Sequence, residues 1–246
     1  MGRSDEFSVG ASPVPEIAAG AARYRAQNGL AAPEQDYSKS LINPAQSRVI
    51  AAHYAAMPSY NKAAEPAYRA MAEETGRQFD HMTSPRSKGG MGLSVGVSKE
   101  DPYGTHDGKY SYEHVMSEMS ADVQGRNHVD VLSAASTGGH PFFTNDQNEM
   151  FRAVHDVFGH LGSGRGIDFN GEEGAYQKHA AMYSPLARGA LASETRGQNS
   201  SLRMTGEFPE QKVGVLPAHL SIPRNLSGAQ FSDVQLARQK NAEQGL

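Results

Sequence analysis

Two histidines, an aspartate and a glycine stand among apolar residues in the run Val154-His155-Asp156-Val157-Phe158-Gly159-His160. Apolar residues at 151, 153, 154, 157 and 158 cover most of a helix circumference, which predicts a buried helix. Imidazoles on such a helix either pack as polar core groups or ligate a metal. On an ideal α-helix five residues rotate the direction by about 140°. His155 and His160 therefore converge on one ion if the backbone departs from that geometry, or if the ion sits just off the helix surface where both rings reach it. The expected departure is at Gly159, which can end the helix in the left-handed region and turn His160 back. Asp156 is four residues from both Arg152 and His160, so it either orients His160 from behind or pairs with the arginine.

A site with two histidines needs a carboxylate as well. Ala187, Ala190, Leu191 and Glu194 share one helical face, so Glu194 extends an apolar stripe where an unpaired carboxylate is costly. Ligation to a cation removes that cost, and so does pairing with Arg188 or Arg196. Glu172 and His179 share a face with Tyr176 and form a second cluster, on a segment that reads as solvent-facing along Glu172 and Glu173. The Gly-rich turn 162–166 presents backbone amides and Arg165, a combination suited to an anion. Arg196, Gln198 and Asn199 follow Glu194 closely and read either as a capped helix end or as pocket wall. Arg165 and Arg196 are the candidate contacts for an acidic group on a substrate.

The pattern His155-Asp156-x-x-Gly159-His160 with Glu194 downstream resembles the iron site of the aromatic amino acid hydroxylases. That family carries His-Glu-x-x-Gly-His and a later glutamate as a two-His-one-carboxylate facial triad. The run His140-Pro141-Phe142-Phe143-Thr144 also looks like the Pro-x-aromatic-Thr stretch before that motif. The resemblance implies His155, His160 and Glu194 as ligands to Fe(II), with Zn or Mn as alternatives, and oxygenation of a small molecule. Three ligands on one face leave positions for a co-substrate and dioxygen together. Position 156 is Asp where the family has Glu.

A second resemblance, in residues 151–160 and 184–200, is to uncharacterised proteins of tailed bacteriophages. It implies the cytoplasm of an infected bacterium or the virion, with other virion proteins or further copies of the chain as partners. On that view the site is a structural staple or a remnant. His155-Asp156 is also similar to the dyad of HD-type metallophosphohydrolases, for which His114 or His128 and Asp168 would complete the set.

Composition narrows the field further. The chain of 246 residues has no cysteine, which excludes thiolate metal sites, disulfides and thiol catalysis. A net charge of −4 gives no general attraction to nucleic acid, and no nucleic-acid module is recognisable. No stretch has the length of a membrane span, and the N-terminus lacks the layout of a signal peptide. Helical periodicity predicts a mainly α-helical core with minor strand over residues 46–200. An extended Ala/Gly/Pro-rich arm is expected over 1–45, and an extended tail with a short helix over 201–246. Within the core, helices are expected from Ala45 to Pro58, around Tyr68 to Phe79, and after Ser111, Thr144, Glu172 and Ser184. Short strands are expected between 83 and 109 and at 128–136.

Overall fold

A computed structural model describes residues 12–30, 37, 40, 42, 44–104 and 111–222. The protein is mainly α-helical with minor β-structure. Its helices are α1 (Pro15–Gln27), α2 (Pro44–Ala56), α3 (Glu65–Thr83), α4 (Tyr112–Arg126), α5 (Asn145–Val154), α6 (Phe169–Ala180), α7 (Pro185–Ala192), α8 (Gln198–Thr205) and α9 (Ala218–Ser221). Two strands, β1 (Ser94–Ser98) and β2 (His128–Leu132), pair in parallel from Ser94↔His128 to Ser98↔Leu132, with α4 as the crossover between them.

The helix ends follow from local chemistry. Ser111 and Ser184 accept from the third amide of α4 and α7, and Pro185 sits where a missing N–H costs nothing. Thr144 and Gln147 close the reciprocal capping box expected for α5. The helix expected near Glu172 begins earlier, at Phe169, because Asp168 accepts from the amides of Asn170 and Gly171 at 3.0 Å each.

Two apolar clusters form the interior. One joins α1, α4, the strands and the segment 153–161; the other joins α2, α3, α6 and α7 with Val213, Leu216 and Leu220. The core therefore reaches beyond both boundaries drawn from sequence. In place of an extended arm, α1 buries Ile17, Ala21 and Tyr24, and its start is tied to the core by Val14 N–H donating to the Leu161 carbonyl at 2.9 Å. The segment after residue 200 contributes its buried apolar residues to the second cluster. The short helix expected near the C-terminus lies outside the described residues.

The expectation of a solvated face on α6 also gives way. Every residue from Asn170 to Ala180 except Glu172 is buried. Small residues make this packing feasible: a Cβ on Gly171 would stand 1.9 Å from the Gly166 carbonyl oxygen, and one on Gly174 2.7 Å from Arg165 Cγ. The helix is central because its neighbours press directly on its backbone.

Candidate metal centre

The chain continues from α5 without a break into a π-helix, His155–Leu161, in which the Gly162 N–H reaches back five residues to the Val157 carbonyl. In a helix closed by i→i+5 bonds, residues five apart fall on the same side. This, and not a left-handed Gly159, brings the two histidines together. Their ring centroids are 5.0 Å apart with the planes at 83°. Gly159 serves a different purpose, because a Cβ there would meet both the Ala175 carbonyl and His155 Nδ1 at 3.2 Å. The glycine lets the π-turn lie directly on α6.

From α6, Glu172 reaches the two rings. Its carboxylate oxygens lie 3.6 Å from His155 Nε2 and 3.5 Å from His160 Nε2. Among the described residues, His155, His160 and Glu172 are the group whose ligand atoms all fall within 4.8 Å of one another. Ligand bonds of about 2.0–2.2 Å place two ligand atoms roughly 3.0–3.5 Å apart around one ion, so small movements close the site.

The hydrogen bonds behind the rings decide where the protons are. Gln78 donates through Nε2 to the Met182 carbonyl at 3.2 Å, so its Oε1 faces His179 Nε2, 2.8 Å away, as an acceptor. His179 then carries its proton on Nε2 and offers a bare Nδ1 to His155 Nδ1 at 3.2 Å. His155 therefore holds its proton on Nδ1, leaving the Nε2 lone pair aimed at Glu172. His160 is oriented by a shorter route, donating from Nδ1 to the Arg165 carbonyl at 2.9 Å, which turns its Nε2 towards Glu172. Two ring nitrogens, each turned by the bond its partner nitrogen makes, thus converge on one carboxylate. This set could hold a cation.

In the metal-free protein the electrostatics put a proton at this point, which a bound cation would displace. Burial works against charge on His160, but Glu172 outweighs it, with help from Asp156 and the Arg165 carbonyl, and pushes His160 up to about 9. Burial likewise opposes charge on Glu172, and the two histidines overcome it and hold the carboxyl well below the usual carboxylate range. His179 moves the other way, well below an ordinary histidine, through burial and the two neighbouring imidazoles. It remains the neutral relay that the hydrogen bonds require.

Several expectations need correction at this point. Glu194 is not in the triad. Its Oε1 accepts from the Tyr68 hydroxyl at 2.6 Å and lies 3.2 Å from His140 Nε2, and its Oε2 accepts from Gln198 at 2.8 Å. His140 accepts two backbone amides at Nδ1, so its proton sits on Nε2, towards Glu194. The desolvation cost that argued for ligation is met instead by these donors. Asp156 does not hold His160 from behind, because the Arg165 carbonyl already occupies that nitrogen.

Arg165 and Arg196 are also placed differently. Arg165 is buried, with its guanidinium directed to the Ser40 carbonyl at 3.4 Å, and it serves the site through its backbone. Arg196 forms a two-point ion pair with Glu173, donates to the Leu220 carbonyl at 2.6 Å, and stacks 4.6 Å over Tyr176. The pieces of an HD-type set are likewise separate. Asp168 caps α6, and His128 on β2 contacts Ser94 and Asp130.

A cleft of about 370 Å³ opens onto the triad. Its wall includes Asp156 beside the ligands, Phe151 and Ile167 as apolar surface, and Gln198 and Asn199 from α8. Asn199 also donates to Glu172 Oε2 at 3.1 Å, fixing the carboxylate from the cleft side. Arg152, held by the Leu132 carbonyl at 3.0 Å and by the Thr137 hydroxyl at 2.7 Å, is the lining cation. No helix among the described residues is long and apolar enough to cross a membrane.

This geometry places a two-histidine, one-carboxylate group in the wall of a cleft, carried on a π-turn and a central helix. Comparison with protein-family models, curated proteins and solved structures finds no match.

Proposed function

We propose that this protein is a metal-dependent enzyme in which His155, His160 and Glu172 hold a divalent ion at the end of the cleft. The observation that carries the reading is the convergence of two imidazole nitrogens and a carboxylate whose orientation is fixed from behind and which border a cleft. A closed structural site would take a fourth protein ligand. Here the side chain of Glu172 keeps 19% exposure, and the space beyond it is open to a small molecule.

Two imidazoles and one carboxylate on one face suit Fe(II), with Zn and Mn as the other candidates. When bound with open positions, Fe(II) supplies oxygen chemistry, and we infer a small-molecule oxygenation of the non-haem iron type. The residues of the chain bind and orient. His179 and the Arg165 carbonyl hold the two rings, Asn199 holds Glu172, and Phe151 and Ile167 keep water from one side of the cleft. Asp156 and Arg152 offer a carboxylate and a cation to polar groups of the substrate.

Anaerobic reconstitution with Fe(II), Zn(II) or Mn(II), followed by elemental analysis, tests the reading. One ion per chain is expected for the native protein and for Glu194→Gln, and none for Glu172→Gln or His160→Ala. With Fe(II), nitric oxide should give the electron-paramagnetic signal of an iron with an open position. Absence of metal in the native protein would overturn the site. Metal without that signal, accompanied by collapse of the fold on chelation, would assign the ion a structural role, as in a virion component.

A further inference from the structure

Away from the metal centre, two cations are buried side by side. Arg25 on α1 is 5% exposed and Lys178 on α6 is 8% exposed. Arg25 Nε and Nη1 are fully enclosed and have no hydrogen-bond partner. The Lys178 ammonium lies 5.2 Å over the Tyr37 ring, and the buried Tyr37 hydroxyl is also without a partner. The stem of Lys178 runs beside Gly162, where a Cβ would stand 3.6 Å from its Cε.

Among the described residues, the ionisable groups that act on these side chains are Tyr37 on Arg25 and Arg25 on Lys178, and no carboxylate is one of them. Burial pushes Lys178 down to about 8, and the neighbouring guanidinium pushes the same way. Removing one charge from water without a counter-charge is costly, and two of like sign together are worse. Every other buried arginine of the core has an acceptor: Arg165 the Ser40 carbonyl, Arg188 the Ala180 carbonyl, Arg196 its Glu173. The Arg25–Lys178 neighbourhood, drawn from two elements, thus holds unmet donors and two like charges within electrostatic reach of each other.

We propose that Arg25 and Lys178, with the Tyr37 hydroxyl, form a buried binding site for a small oxyanion of the phosphate or sulfate class. A tetrahedral oxyanion supplies several acceptor oxygens and up to two negative charges. It can take the fork of the guanidinium, the point charge of the ammonium and the phenolic O–H together. Binding would join α1 to α6, and hence the N-terminal helix to the helix that carries Glu172.

The test is thermal unfolding and titration calorimetry of the full chain, in the presence of a chelator, at constant ionic strength. Inorganic phosphate and sulfate are compared with chloride, and glycerol phosphate distinguishes a free from an esterified anion. At a hundredfold excess over Kd, stabilisation by binding should raise Tm by roughly 5–10 °C. Chloride should not do so.

Lys178→Met and Arg25→Met should lose this rise. Without oxyanion, Lys178→Met should melt at or above the native protein, because it removes a buried charge whose charged neighbour among the described residues is of like sign. If Arg25→Met fails to fold, Lys178→Met decides alone. No shift with phosphate, sulfate or glycerol phosphate, or a shift that survives in Lys178→Met, would overturn the proposal.

Discussion

The substitution Gln78→Leu tests the proton arrangement around the ligands without touching a ligand. Gln78 Oε1 forces the proton of His179 onto Nε2 and so leaves the His155 Nε2 lone pair towards the metal site. Leucine has similar volume and no acceptor. His179 can then hold its proton on Nδ1 and donate to His155, which moves the His155 proton to Nε2, facing Glu172. A metal must displace that proton, and the ring loses its fixed orientation. Partners of this kind change metal affinity by about 10–100-fold. Two hydrogen bonds, at 3.2 and 2.8 Å, also disappear from a fully buried position. Leaving a buried donor or acceptor unmet costs about 1–3 kcal/mol. With about 2–4 °C per kcal/mol for a chain of this size, Tm should fall by roughly 2–12 °C. Affinity is measured by competition with a chelator of known strength, and stability by calorimetry. A variant that loses stability but binds metal as tightly as the native protein would refute the relay.

Three further outcomes follow from the same geometry. Gly159→Ala should press Cβ against the Ala175 carbonyl and His155 Nδ1, both at 3.2 Å. The overpacking cost of about 1–3 kcal/mol exceeds the helix gain of about 0.5–1 kcal/mol, so both Tm and metal affinity should drop. In the metal-free protein, His160 is raised from 6.5 to about 9, so its stabilising contribution is complete below pH 6.5 and lost as pH rises through about 9. Glu172, held low, contributes above its ordinary value of 4.5 and loses that contribution as pH falls below the usual carboxylate range. Melts across pH should therefore show an alkaline decline that His160→Gln flattens, and proton release on metal binding should be measurable at pH 7–8. Arg196→Met leaves Glu173 buried and unpaired, which should cost about 3–5 kcal/mol by denaturant titration. The metal affinity of whatever folds should be unchanged, since Arg196 faces Glu173 and not the cleft.

The fold was legible where local chemistry decides it. Ser111, Thr144 and Ser184 announce their helices by capping, and the apolar periodicity of Tyr68, Met71 and Thr75 belongs to a helix buried along one face. What stayed hidden depends on distant packing. The segment of α1 reads as a flexible Ala-rich arm because its own hydrophobic face is thin, yet Ile17, Ala21 and Tyr24 suffice once the 153–161 segment meets them. Of the site, the two histidines were legible and their carboxylate was not. Glu194 lies on an apolar stripe, which marks a carboxylate that needs a partner without saying which. Its partners, Tyr68 and His140, are 126 and 54 positions away. Glu172 was passed over because two adjacent glutamates read as a solvated face. The signal that could have found it is the density of glycine around it, at 166, 171 and 174, which marks backbone pressed against backbone.

The spacing of the histidines is the feature that ties fold to chemistry. Five residues apart is a poor arrangement on an α-helix and a good one on a π-helix, so the bend in the hydrogen-bond ladder is what creates the ligand pair. A π-turn leaves its ladder less regular than an α-turn, and here tertiary contacts hold it. Leu161 is bonded to Val14, Gly159 lies against α6, and His160 is tied to the Arg165 carbonyl. Those contacts come from both apolar clusters, and Glu172 reaches in from α6 of the second. The polar centre therefore sits at the seam of the two halves of the core, where only small residues allow close approach and where a cleft remains. A metal bound there would be held by elements from each half, and its loss should loosen the seam before it loosens either cluster. Hydrogen exchange on the metal-free protein should accordingly be faster first in residues 155–165 and 169–176, with the amides of α2 and α4 still protected.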